Sequence, residues 1–231
     1  MTTETVSQNP LLKTRLILYH KSPSSGMERV KVYNDKGMAT KNGVGLFAKA
    51  VMDHFPLLPC EEEGRLHDSK LRETFIEQIF TLNRWRETLS KKKSMKNLID
   101  FHAKHKLLIM SHSPNHSRMM GKRIAQGETL PLKDVFTQYE ILLIWALSLK
   151  TTLKKNINVL QHIMGYFKKQ LSPDEKQELL EIIGHYKQGV LPLIVPVTLL
   201  NHYVRKYDKP YLARQAYLHP HPLELQLRNH A

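Results

Sequence analysis

Thirteen histidines stand among the 231 residues, and four of them have spacings that suit a metal ion. His102 and His105 are three apart, on one face if the segment is helical. His112 and His116 are four apart, across Pro114. Zinc needs a third ligand and a shaped, open position. No HExxH run and no paired-cysteine spacing supplies one. The competing reading is structural or surface histidines, so the expected metal set is none. A second group forms a ladder. Asn158, His162 and Tyr166 recur at i, i+4 and i+8, with Gln161 beside them. If buried, these polar groups must pair with one another or line a polar pocket. Asn158, Gln161, His162 and Tyr166, with His112, are therefore the ligand-pocket candidates. A third group is basic: Lys122-Arg123, Lys154-Lys155 and Lys168-Lys169, the last beside Tyr166-Phe167. Cations neutralise phosphates while aromatic rings stack bases. Lys122, Arg123, Lys168 and Lys169 are the nucleic-acid candidates. The alternative for each pair is a solvated helix face. No Walker loop, GxGxxG or GxSxG pattern is present.

The charge is unevenly placed. Residues 1–64 hold 8 Lys+Arg against 7 Asp+Glu, whereas residues 65–231 hold 27 against 14. The net charge of +14 thus belongs almost wholly to the second part. Such a field draws polyanions. Cys60 is the sole cysteine, so no internal disulfide and no all-cysteine metal site can form. That suits a reducing cytoplasm. Met1 to Pro10 lacks the basic and apolar regions of a secretory signal. No apolar run reaches membrane-spanning length, and no membrane partner is expected.

These groups need elements to hold them. Arg15–Tyr19 and Val30–Tyr33 read as strands, with a loop at Lys21-Ser-Pro-Ser-Ser-Gly26 and turns at Asp35–Gly37 and Gly43–Gly45. Leu46–Phe55 has helical spacing. Pro56–Gly64, with the acidic run Glu61–Glu63, reads as a linker. Beyond it strand signals fade. Asp68 caps a helix to about Leu89 with Leu71, Phe75, Ile79, Leu82 and Trp85 as its apolar stripe. Ser94 caps another, to about Ser111, and Pro114 opens a short one. Residues 132–171 are helical in two pieces. Ser172-Pro-Asp-Glu175 is a capping box with proline at the first helical position, and Gly189 ends that helix. Pro192 and Pro196 precede a last helix over Val197–Tyr207. The tail from Pro210 is expected to wrap on the surface. The fold class is mainly α: a helical domain over 65–231, with a small N-terminal α/β remnant in 1–64.

Several runs carry a resemblance. Asp100-Phe-His-Ala-Lys-His-Lys-Leu-Leu-Ile-Met-Ser-His-Ser-Pro114 and Asn158-Val-Leu-Gln-His-Ile-Met-Gly-Tyr-Phe-Lys-Lys169 resemble signatures of the bacterial YbgA-type domain. So do Leu191-Pro-Leu-Ile-Val-Pro-Val-Thr-Leu-Leu200 with His202-Tyr203, and Gln215-Ala-Tyr-Leu-His-Pro-His-Pro222 with Leu227-Arg-Asn229. They cover most of residues 65–231, and the resemblance brings no known function. Residues 11–59 resemble the end of a TudS-like thiouracil desulfurase domain, in Lys21–Gly26, Met27–Tyr33, Gly43–Phe47 and Phe55–Pro59. That family holds a four-iron, four-sulfur cluster on three cysteines and removes sulfur from a thiolated pyrimidine. Its loop reads Ser-Pro-Ser/Thr-Cys-Gly, and here Ser25 stands at the cysteine. Neutral serine is a poor ligand for iron. The other two ligands belong to a half-domain that the sequence does not contain. The resemblance implies Ser22 as a catalytic serine, a role that lapses without the cluster.

The resulting expectation is a non-catalytic basic helical module that binds RNA, DNA or a (thio)nucleotide. Its rivals are an enzyme or accessory subunit in thiolated-pyrimidine desulfuration, and a structural domain that dimerises or holds a partner protein. No iron–sulfur cofactor is expected. Anaerobic reconstitution with iron and sulfide should therefore give a colourless protein, and Ser25→Cys alone should not change that, because one thiolate cannot hold a cubane. A stable brown protein with the cluster's charge-transfer absorption would refute this.

Overall fold

A computed structural model describes residues 15–127, 129–222, 225 and 227–229. The leader read at residues 1–12 lies outside them. The chain divides into two compact units, Met1–Asn83 and Arg84–Ala231.

In the first unit, β1 (Leu16–Leu18) pairs in parallel with β4 (Cys60–Glu62), and β2 (Val30–Tyr33) pairs antiparallel with β3 (Ala39–Gly43). The β2–β3 turn has Gly37 at φ +71°, and the Asn34 side chain accepts from the amides of Lys36 and Met38. Helix α1 is Leu46–His54. The loop Ser22–Gly26 supplies its N-terminal partners: the Pro23 carbonyl accepts from Leu46, and the Ser24 carbonyl from Phe47 and Ala48. That close approach explains Gly45, where a Cβ would lie 2.4 Å from the Ser24 oxygen. The acidic run is not a linker. Glu61 and Glu62 are buried in β4. The Glu62 carboxylate faces His20 Nδ1 at 2.5 Å and accepts from the Met27 and Glu28 amides. Burial alone would raise its pKa, but these partners outweigh it and hold the group below its ordinary value.

Helix α2 (Ser69–Ser90) begins at Asp68, whose carboxylate accepts from the Lys70 and Leu71 amides, and it crosses the division between the units. Its buried face includes Phe75, Leu82 and Trp85, as the spacing predicts. It also includes Glu73, Thr74, Glu77, Gln78 and Thr81, while Leu71 and Ile79 are only half-buried. Tertiary packing has rotated the stripe toward polar side chains.

The second unit continues with α3 (Met95–His112), α4 (Pro114–Ala125), α5 (Leu132–Ser148), α6 (Leu153–Gly165), α7 (Pro173–Lys187), α8 (Ile194–Lys206) and the short α9 (Pro210–Ala213). Helix α3 packs against α4, α5 and α6, and three consecutive residues, Leu107, Leu108 and Ile109, are fully buried. Each such side chain contributes roughly 1.5–3 kcal/mol relative to exposure. One core region gathers Leu107, Val159, Ile163, Phe167, Leu179 and Leu200 with Tyr217. Another is aromatic: Trp85 lies 5.0 Å from Phe101, 5.8 Å from Phe136 and 5.2 Å from Tyr139 between ring centroids.

The caps follow the sequence closely. Ser94 accepts from Asn97. Ser172 and Glu175 form both halves of a capping box. Gly189, at φ +75°, closes α7 with bonds from Gly189 to the Tyr186 carbonyl and from Val190 to that of His185. Two expectations are corrected. Helix α8 starts at Ile194, so Pro196 lies inside its first turn, where a missing N–H costs nothing. The tail does not wrap on the surface, since Gln215, Ala216, Tyr217 and Leu218 are buried. Gln215 donates to the Ala103 carbonyl at 2.7 Å, the Ala216 amide to that of Lys104, and Tyr217 to the Asn156 side chain. The Arg228 carbonyl then accepts from Ile194 and caps α8.

The four histidines with metal-like spacing each have a partner within the fold. His105 lies against Phe101, ring centroids 4.0 Å apart, and its Nδ1–H donates to the Phe101 carbonyl. His102 Nδ1 meets the buried Tyr139 hydroxyl at 3.1 Å. His112 Nδ1–H donates to the Leu149 carbonyl, and His116 meets the Ser113 hydroxyl. Among the described residues no three metal-ligating side chains gather.

Burial holds the imidazoles of both His102 and His105 down to about 4. The unfolded chain, with histidines near pKa 6.5, takes up those protons first as pH falls. The stability these residues contribute is present above pH 6.5 and is lost between 6.5 and about 4. The melting temperature should fall across that window, and His105→Gln should flatten the fall; an unchanged slope would refute the assignment. Separately, His112→Ala should cost roughly 1–3 kcal/mol in denaturant unfolding, because it strips a carbonyl of its donor. A loss under a few tenths would show that the bond is dispensable.

Candidate nucleic-acid interface

Helix α6 presents two faces. Asn156, Val159, Leu160 and Ile163 are buried, while Lys154, Asn158, Gln161, His162 and Gly165 are exposed. The polar ladder therefore lies on the exposed face of the helix. It is an open surface. The polar residue that α6 does bury is Asn156, bonded to Tyr217. His112, the other pocket candidate, is fully buried and serves the α3–α5 junction.

At the C-terminal end of the exposed face the rings gather. His162 stands edge-on to Tyr166 at 5.6 Å, and Tyr166 stacks on Tyr211 of α9 at 5.4 Å with 28° between planes. Tyr166 is 39% and Tyr211 38% exposed, so part of each ring is open to solvent. Burial, followed by the neighbouring Tyr166, pushes the Tyr211 phenol up to about 12, so that phenol is neutral at physiological pH. Lys168 and Lys169 follow at once and are exposed. Among the described residues neither is paired with a carboxylate. Lys122 and Arg123 lie on another helix, in the last turn of α4. Lys155 is occupied: its ammonium donates to the His112 and Lys150 carbonyls at 2.6 and 2.8 Å.

The charge pattern sharpens the picture. From Ile141 to Leu171 the chain has no Asp or Glu, yet it holds Lys150, Lys154, Lys155, Lys168 and Lys169. Carboxylates return in α7, where Glu175 is taken up by Lys206, Tyr207 and its own cap, which hold it down to about 2. Residues 84–231 keep 24 Lys+Arg against 11 Asp+Glu. The sequence signals missed Tyr211, which α9 brings in from 45 positions beyond Tyr166 and which no periodicity connects to it.

In the first unit, the Ser22 hydroxyl accepts from the Ser24 and Ser25 amides at 3.3 Å, as a loop-organising group. Burial, and then Glu61, pushes the Cys60 thiol up to about 11, which leaves it protonated and unreactive.

Among the described residues no helix is long and apolar enough to cross a membrane. The family profile for proteins of unknown function termed DUF1722 matches residues 106–222, which hold the His112 junction, α6 and the tyrosine pair. The uncharacterized protein YbgA of Escherichia coli strain K12 is 31% identical over 133 residues, covering 57% of this chain and 79% of that protein. No solved structure matches. From this profile match and this identity, the chain belongs to the DUF1722 family of YbgA-type proteins.

Proposed function

We propose that the second unit is a non-catalytic, basic helical module of the cytoplasm that binds single-stranded RNA or DNA. The observation that carries this reading is the half-open Tyr166–Tyr211 stack beside Lys168 and Lys169. Aromatic faces take bases without strict sequence preference, and the cations take the backbone. The absence of carboxylates between Ile141 and Leu171 removes the repulsion that a polyanion would otherwise meet. Asn158, Gln161 and His162 offer hydrogen-bonding edges on the same helix face.

A second reading has its own support. The Ser22–Gly26 loop keeps an organised geometry: its amides and those of Met27 and Glu28 are held by Ser22 and Glu62, and its carbonyls start α1. It fits a remnant of a desulfurase-type domain whose scaffold persists with Ser25 in the ligand position. On this reading the helical unit delivers a thiolated pyrimidine, as an accessory, to an enzyme that carries the cluster.

Binding of labelled (dT)16 followed against salt tests the first reading. Each phosphate neutralised contributes a slope of about −0.7 in log K against log salt. Four to six engaged cations give roughly −3 to −4. Lys168→Ala with Lys169→Ala should make that slope about one unit shallower. Tyr166→Ala should cost about 1–3 kcal/mol. An absence of binding at low salt removes the proposal and leaves the accessory and dimerisation readings.

A further inference from the structure

The two tryptophans of the chain are placed oppositely. Trp85 is 1% exposed at the centre of an aromatic core, whereas Trp145, in the last turns of α5, is 56% exposed. The neighbours of Trp145 in α5, Leu143, Ile144, Ala146 and Leu147, are buried and hold the helix by its other side. The indole is therefore not needed to anchor α5. An exposed tryptophan marks a contact but does not name it. The surroundings do. Trp145 lies within the acid-free span, and the exposed Leu149, Lys150, Leu153 and Lys154 follow it within nine residues. The connection between them is tied to the core side, since His112 holds the Leu149 carbonyl and Lys155 holds that of Lys150. A second copy of this chain would bring a like-charged surface to the ring. A bilayer would require the apolar face to continue along α6, but the exposed positions after Leu153 are Lys154, Asn158, Gln161 and His162.

We infer that Trp145 is a second base-stacking platform, which with Lys150 and Lys154 extends the nucleic-acid face beyond the N-terminal end of α6. The inference rests on the nucleic-acid reading above and adds a site to it. The rise from Lys154 to Tyr166 is about 18 Å at 1.5 Å per residue. A strand at the stacked spacing of about 3.4 Å covers that length with roughly five nucleotides. A strand that reaches past Lys154 then meets the indole as well as the tyrosine pair, with lysines between and beyond. Short oligonucleotides that reach only one platform bind more weakly.

The full-length protein carries its own probe. Titration with (dT)16 at low salt should quench Trp145 emission, while the buried Trp85 stays silent. Trp145→Phe should abolish the quench and keep the Trp85 emission. Trp145→Ala should weaken binding, read by anisotropy of labelled (dT)16, by about 5- to 150-fold. At 56% exposure neither substitution opens the core, and an unchanged circular dichroism spectrum checks this. Salt-sensitive binding with no quench, and with Trp145→Ala as tight as the parent, overturns this inference and leaves the function standing. No anisotropy change at all removes both. A blue-shifted Trp145 emission with anionic phosphatidylserine vesicles, and none with (dT)16, also overturns it and assigns the ring to a membrane surface.

Discussion

Helix α3 ends in a hydrogen-bonded junction on which the second unit depends. Ser113 closes α3 through its amide and opens α4 through its hydroxyl, with Pro114 at the first position of the new helix. One residue earlier, the buried His112 ring holds the Leu149 carbonyl where α5 ends, and its own carbonyl accepts from Lys155 at the start of α6. Four helix termini thus meet within a few hydrogen bonds. Helix ends leave several backbone groups without partners, and burying them unpaired is costly. The Lys155 side-chain nitrogen and an imidazole N–H meet that demand here. Because the ends of α5 and the start of α6 are tied to the same point, the surface they present is set by the junction.

That surface is open because α6 uses its other stripe for the core. Val159, Leu160 and Ile163 are fully buried, so their helical opposites, Asn158, Gln161 and His162, must face solvent. The tail then completes the arrangement. Gln215, Ala216 and Tyr217 dock on α3 and α6, and α9 just before them puts Tyr211 on Tyr166. The functional face and the tail packing are therefore coupled: the same segment that fills the core with Leu212 and Tyr217 sets the outer ring.

The first unit is organised around a charge. Glu62 is fully buried, and its carboxylate is compensated by His20 and two amides from the segment following the Ser22–Gly26 loop. A buried carboxylate without such partners would be neutralised or expelled. The loop owes its shape to this anion and to Ser22, neither of which needs a cysteine at position 25.

Features that depend on near neighbours follow from the order of residues alone. Helix starts at Asp68, Ser94, Ser113 and Ser172 and the stop at Gly189 involve groups within five residues, so residue type and spacing specify them. The concentration of positive charge after residue 64, and the absence of carboxylates from Ile141 to Leu171, are also properties of the chain alone. Where two stripes of a helix were chemically acceptable, packing against distant segments selected the one that is buried. In α6 either the polar ladder or its opposite could have faced inward, and the partners supplied by α3, α7 and the tail chose Asn156 and its apolar neighbours. In α5, Leu143, Ile144, Ala146 and Leu147 are buried, whereas Trp145 between them in sequence stays outside. The acidic run at Glu61–Glu63 reads as a linker until β1 and the amides of Met27 and Glu28, more than thirty residues away in sequence, surround it. Contacts that cross such separations leave no periodicity in the chain, because they depend on which surfaces the folded elements bring together.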